Sequence, residues 1–299
     1  MCTVCGCSPW AAEELGMQDD RTMDDGGADE HAHAHHHFHG GPTLHSHAHR
    51  HRHEHESGHG REHEHGHLYP RRRLITVEQD ILAENDRWAA RNRAWFRARK
   101  ICTVNLMSAP GSGKTTLLTR TIADQWERTP IAVIEGDQET SFDADRIRAT
   151  GAAAMQINTG KGCHLDARMV DRALTQLAPA PGSLVFIENV GNLVCPAAFD
   201  LGEDARAVLL SVTEGDDKPL KYANMFAAAQ AMVITKVDLL PFVAFDLDRC
   251  RAYAHRVNPE VAVICVSTVS GAGLDDWYAW LEDRQMAQAR PRVAEAGVG

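Results

Sequence analysis

Beyond residue 100 the chain alternates short apolar runs with segments of helix length. The runs fall at 101–107, 131–134, 154–157, 184–187, 207–212, 231–234 and 261–266. Continuous apolar strands separated by helical spacers predict a buried, mainly parallel sheet flanked by helices, an α/β fold. Just upstream, Val77, Ile81, Trp88 and Trp95 place apolar groups along one side of a helix running towards Lys100, with Thr76 and Gln79 spaced as a capping box near its start. From Ser8 to about Pro70 neither helical nor strand periodicity is present, and Gly, Asp, Glu and His dominate. A segment of this kind cannot bury a core and reads as a flexible arm. The pattern divides the chain into 1–7, a cysteine motif; 8–73, an acidic and His-rich arm; 74–290, the α/β domain, with order beginning near Leu74; and 291–299, a disordered tail.

Composition changes this picture mainly at the N-terminal end. Of 18 histidines, 16 lie between His31 and His67. Residues 1–30 carry a net charge of −7 and 31–67 a net −1, so only −2 of the total −10 belongs to the remaining chain. A nearly neutral body lacks the broad basic footprint of a nucleic-acid-binding protein; Arg71 to Arg73 with Arg91, Arg93, Arg97 and Arg99 form only a local basic zone. No apolar stretch approaches the ~18 residues of a membrane span, and the acidic start has no basic-then-apolar secretory pattern. The expectation is a soluble cytoplasmic protein that uses neither membrane nor nucleic acid. In that compartment the eight cysteines are better read as metal or redox groups than as disulfides.

In a parallel sheet ligands bind outside the carboxyl ends of the strands, so chemistry is sought immediately after each apolar run. Residues 108–118 read Ser-Ala-Pro-Gly-Ser-Gly-Lys-Thr-Thr-Leu-Leu. Pro110, Gly111, Ser112 and Gly113 form a loop whose backbone N–H groups can turn around phosphate oxygens; Lys114 neutralises the β/γ charge, and Thr115, followed by Thr116, can ligate Mg2+ at a helix N-terminus. Ser108 stands where the usual pattern has Gly. After the sixth run, Thr235-Lys-Val-Asp238 resembles the Asn-Lys-x-Asp element of guanine-binding proteins. The Asp238 carboxylate can accept from guanine N1–H and its exocyclic amine, and the stem of Lys236 can cover the base. Ser267, after the last run, is positioned to close that pocket. Asp137 is the candidate for Mg2+, directly or through water, and Glu188 for orienting water or supporting the metal's ligands; either can instead be a strand-end cap. Lys114, Asp137 and Glu188 are thus the catalytic candidates, and with no arginine finger in a recognisable motif, slow hydrolysis is expected.

Two further groups point to transition metals. Cys2, Cys5 and Cys7 place three thiols beside the terminal amine, enough for a short loop to wrap one soft or borderline cation. The His-x-His repeats of the arm offer many imidazoles without a fixed geometry, suited to weak, non-selective binding of several divalent ions. In the body, Cys163 and His164 follow the third run, and Cys195 lies four residues after Gly191. All three stand on the rim that carries the nucleotide motifs. Three donors leave a coordination sphere incomplete, so water or a second subunit must supply the rest. The competing reading makes Cys163 and Cys195 core thiols. It is preferred for Cys102, Cys265 and Cys250 and for the lone His255.

Taken together, the N-terminal Cys-x-x-Cys-Gly-Cys, the His-rich arm and the segments at 110–118, 135–140, 163–166, 188–203, 212–222 and 236–240 resemble the hydrogenase nickel-insertion GTPases, the HypB family. The resemblance implies a SIMIBI-class P-loop GTPase fold with GTP and Mg2+, and a GTP-favoured homodimer. It implies Ni2+ held by Cys2, Cys5 and Cys7, and a second Ni2+ or Zn2+ site at Cys163, His164 and Cys195. It also implies a lysine of the 218–221 segment reaching the nucleotide across the dimer, and delivery of nickel to a hydrogenase large-subunit precursor alongside other maturation proteins. Three alternatives are distinguishable. A urease-type accessory GTPase keeps Cys, Pro and His together, whereas Cys195-Pro196 lacks the following His. A P-loop small-molecule kinase needs an acceptor other than water, and a nickel store needs only the arm.

Overall fold

The computed structural model describes residues 31–36, 46–51, 69–137, 142–160 and 162–289. The motif at Cys2, Cys5 and Cys7 and the tail at 291–299 lie outside the described residues. The chain divides near Arg71 into two compact units.

In the first unit, β1 (His31–His36) and β2 (Ser46–His51) pair antiparallel, from His31 opposite His51 to His36 opposite Ser46. The segments lack an apolar face, but a strand ladder is made by backbone groups and its register needs only matched extended runs. The rest of the expected arm, up to residue 68, lies outside the described residues. The next element, α1 (Tyr69–Ala98), starts before Leu74, so Thr76 lies within the helix rather than at its start.

In the second unit, β3 (Cys102–Ser108), β4 (Ile131–Asp137), β5 (Ala153–Asn158), β6 (Leu184–Glu188), β7 (Ala205–Ser211), β8 (Ala231–Thr235) and β9 (Ala262–Val266) form one parallel sheet. Its order is β5-β4-β6-β3-β7-β8-β9. Each of the seven apolar runs is one of these strands. Alternate residues serve opposite faces. Val104, Leu106, Val133 and Phe186 pack with Leu117, Leu118 and Ile122 of α2 (Lys114–Gln125), Ile147 of α3 (Phe142–Arg148) and Trp277 of α8 (Leu274–Ala289). On the other face, Ile134, Val185 and Ile187 pack with Phe96 of α1 and with Val170 and Leu174 of α4 (Ala167–Leu177). Further along it, Val208, Leu210 and Met232 meet Met225 and Phe226 of α6 (Ala223–Ala227) and Cys250 and Ala254 of α7 (Leu247–Val257). A short α5 (Lys218–Lys221) precedes α6.

The buried stripe of α1 differs from the expected one. Asn85, Ala89, Asn92 and Phe96 are buried, whereas Ile81 is exposed and Trp88 and Trp95 are half-buried. The reason is polar. Asn92 Nδ2 donates to Ala167 O at 2.8 Å and Leu201 O at 3.0 Å, and Asn85 bonds Asp200 O and Ala167 N. These amides bind backbone groups at the start of α4 and in the 200–201 loop. The displaced indoles lie against arginines, with Arg99 over Trp95 at 4.0 Å and Arg91 over Trp88 at 5.2 Å.

Candidate functional site

Between β3 and α2 the backbone passes through Gly111 at φ +76° and Gly113 at φ +98°, left-handed conformations that glycine adopts without strain. The turn aims the free N–H groups of the first turn of α2 into a cavity of about 470 Å3. Lys114 is buried, and its Nζ donates to Ser108 Oγ at 2.7 Å. Ser108, the departure from the usual glycine, therefore supplies an acceptor for the lysine. Burial lowers the Lys114 pKa against the opposing pull of Glu188 and other carboxylates.

The acids follow from strand register. Parallel pairing of β4 with β6 sets Glu135 opposite Glu188, at the ends that face the phosphate loop. Thr115 Oγ1 donates to Glu188 Oε1 at 2.7 Å, while Glu188 Oε2 and Glu135 Oε2 are buried with no hydrogen-bond partner. Burial raises the Glu188 carboxyl to about 7, with Lys114 and Thr115 opposing the shift. Burial, then the charges of Glu188 and Asp137, raises Glu135 to about 8. Paired buried carboxyls with orphan oxygens beside a threonine hydroxyl are a donor set suited to a hard divalent cation such as Mg2+. Asp137 lines the same cavity, as do Pro110, Gly111, Gly113 and Thr116.

At the far end of the cavity the Thr235–Lys236 turn is fastened to the loop before α2. Thr235 Oγ1 donates to Ser112 O at 2.6 Å, and Lys236 Nζ donates to Gly111 O at 2.7 Å. Thr235 thus makes a tether of its own in place of the usual Asn. Asp238 and Ser267 lie beyond the lining of the cavity, where the Ser267 hydroxyl donates to Asp238 Oδ1 at 2.5 Å and fixes the carboxylate.

Cys163, His164 and Cys195 come together, with their donor atoms all within 4.8 Å of one another. Cys195 is buried at the start of a 3-10 turn (Cys195–Ala198); Cys163 and His164 are half-buried. The two sulfurs are 2.8 Å apart, and Cys163 Sγ is 3.6 Å from His164 Nδ1. Tetrahedral ligation at ordinary Zn–S lengths sets two sulfurs about 3.8 Å apart, so a modest separation admits an ion. His164 packs on Phe199 with ring centroids 3.9 Å apart. Its burial lowers the imidazole pKa against the pull of Asp166, which favours the neutral, ligating form.

The two sites share one segment, 188–195. Asn189 lines the cavity, and its Oδ1 accepts from Leu165 N at 3.2 Å, next to His164. Gly191 lies so close to the phosphate loop that a Cβ there would stand 3.0–3.1 Å from Pro110. Asn192 Oδ1 accepts from Cys195 N at 3.4 Å and its Nδ2 donates to Cys163 O at 3.5 Å. Sequence reasoning did not select Glu135, Arg146 or Asn189. The signal for Glu135 is the adjacency of β4 and β6; no motif marks the other two.

Other expected residues separate. Lys221 pairs with Asp217 at 2.7 Å, and Lys218 lies 5.4 Å from the Tyr222 ring. Cys102 and Cys250 are buried thiols pushed up to about 12, chiefly by burial. Cys265 is half-buried. His255 is a correction: it is not a core residue but is exposed in the last turn of α7.

Comparison with known proteins matches residues 102–265 to the CobW/HypB/UreG nucleotide-binding domain family. The hydrogenase maturation factor HypB of Azotobacter chroococcum mcd 1 is 60% identical over 221 residues, 74% of this chain and 72% of that protein. HypB of Escherichia coli K12 is 57% identical over 217 residues, 73% of this chain and 75% of that one. Among solved structures, HypB of Helicobacter pylori in complex with nickel superposes with a TM-score of 0.65 at 37% identity, covering 70% of this chain and 98% of that one.

Proposed function

This chain belongs to the hydrogenase maturation factor HypB family of CobW/HypB/UreG P-loop GTPases, and from that premise we propose that it hydrolyses GTP and delivers Ni2+ to a hydrogenase large-subunit precursor. The observation that carries this reading is the single segment 188–195, which lines the phosphate cavity at one end and supplies Cys195 to the thiol–imidazole cluster at the other.

In this reading the backbone of Pro110, Gly111, Ser112 and Gly113, with Lys114 and Thr116, holds the triphosphate, and Lys236, Asp238 and Ser267 read guanine. Thr115, Glu188, Glu135 and Asp137 would hold Mg2+, which when bound neutralises phosphate charge. The charge on the γ-phosphate then decides where Asn189 rests, and Asn189 carries that position to Leu165 beside His164. Ni2+ is cargo at Cys163, His164 and Cys195. Zn2+ suits the same donors, and Cys2, Cys5 and Cys7 form the second, N-terminal thiol site. Loss of the γ-phosphate changes the cluster and thus the grip on nickel. By linkage, nickel must alter nucleotide affinity by the same factor.

A GTP-favoured homodimer is supported by exposed apolar side chains between strand ends and the following helices. Phe142, Val194, Phe242 and Val269 all stand on the nucleotide rim with relative exposures of 41–84%. Within such a dimer Lys218 or Lys221 can approach the partner's nucleotide. Among the described residues no helix is long and apolar enough to cross a membrane. The test is nickel titration of the full chain with GDP or a non-hydrolysable GTP analogue, for wild type and Cys195→Ala, with oligomer mass read in parallel. Nucleotide-dependent nickel affinity in wild type and its loss in the variant are expected; equal affinities in the two nucleotide states of wild type would count against delivery.

A further inference from the structure

α3 begins just beyond the segment that follows β4, and one of its side chains turns back over the phosphate cavity. Arg146 lines that cavity together with Lys114, Lys236, Thr115 and Glu188. Its Nη2 lies 3.4 Å from Thr116 Oγ1, in the first turn of α2, where helix N–H groups face the phosphates. Its Nη1 is 3.4 Å from Asp143 Oδ1. Both partners of that ion pair are about half exposed, at 51% and 46%, so the pair contributes little to stability and leaves donors of the guanidinium fork uncommitted. The charge is felt inside the site, since Arg146 opposes the upward pKa shift of the buried Glu188 carboxyl.

Resting on the GTPase reading above, we infer that Arg146 is a catalytic residue of GTP hydrolysis, supplied in cis by α3 to the negative charge that develops on the departing GDP. In the reaction a water oxygen bonds to the γ-phosphorus as the bridging P–O bond to the β-phosphate breaks. The electron pair of that bond stays on the GDP oxygen. One hydrogen of the water remains on the new phosphate and the other is released as a proton. In a loose transition state the charge gathered on the leaving oxygens is greater than in bound GTP, so a planar cation there lowers the barrier beyond its contribution to binding. This places an arginine where no sequence motif announces one.

The experiment measures kcat and KM for GTP with the full chain and saturating Mg2+, for wild type, Arg146→Ala, Arg146→Lys and Arg148→Ala. Arg148 serves as control because it is on the same helix, outside the cavity lining, paired with Asp145 at 2.7 Å. Arg146→Ala is expected to lower kcat about 30- to 100-fold with KM changed by no more than about threefold, less than a fully desolvated arginine finger because the side chain is half exposed. Millimolar guanidinium should restore part of the rate in Arg146→Ala only, Arg146→Lys should fall between, and Arg148→Ala should match wild type. A rise in KM with kcat unchanged, an unchanged rate, or a loss of rate matched by loss of thermal stability would overturn the inference. Absence of GTP hydrolysis in wild type would instead overturn the GTPase reading itself.

Discussion

The phosphate cavity and the thiol–imidazole cluster lie on one rim of one sheet, yet they are built differently. Cavity donors stand on or beside strand ends, and the register of β4 with β6 alone brings Glu135 to Glu188. Cluster donors stand on loops, and side-chain amides hold the loops: Asn189 on Leu165 N, Asn192 on Cys195 N, and Asn85 and Asn92 on Ala167. A ladder fixes positions through many cooperative bonds, whereas a loop held by a few amides can take a second arrangement when one amide moves. The oxygen donors thus stand on the half held by the strand ladder and the sulfur and nitrogen donors on the half held by side-chain amides.

Removing one donor from each half should break them apart. Glu188→Gln is expected to reduce GTP hydrolysis by about 10²-fold or more, through loss of charge beside Thr115; the Ni–thiolate charge-transfer absorption should persist. If that absorption vanishes too, the halves are not separable. Cys195→Ala should do the converse, lowering nickel affinity at the cluster by about 10²-fold, the scale of a lost ligand, while kcat stays within about threefold. Absorption titration and phosphate release read the two effects on one sample. A smaller change is expected from Asn189→Ala, where both sites remain but the ratio of nickel affinities between GTP-analogue and GDP states shrinks by about 3- to 10-fold. An unchanged ratio would place the coupling elsewhere in the segment. Smallest is a contrast among thiols: at pH 8 Cys102 and Cys250, pushed up to about 12, should resist alkylation in the folded protein and react only on unfolding, which mass mapping resolves.

The sequence revealed the phosphate loop because its chemistry is local: glycine dihedrals, a lysine and a threonine adjacent in the chain. Strand identity was legible for the same reason, since seven buried strands are seven apolar runs. Strand order is not local, so Asp137 and Glu188 are legible as strand-end acids while the pairing of Glu135 with Glu188 is not. The buried stripe of α1 is not legible as an apolar pattern because two of its positions are asparagines that bond the start of α4 and the 200–201 loop. Arg146 was missed because its neighbours on α3 spell no pattern.

The two bonds from Thr235 and Lys236 to the carbonyls of Ser112 and Gly111 have a consequence of their own. They join the Thr235–Lys236 turn to the loop before α2 at two points. On the reading proposed above, the two ends of the nucleotide seat therefore stay joined whichever phosphates are bound, and a lost γ-phosphate would be registered on the opposite side, by the segment that runs from Glu188 to Cys195.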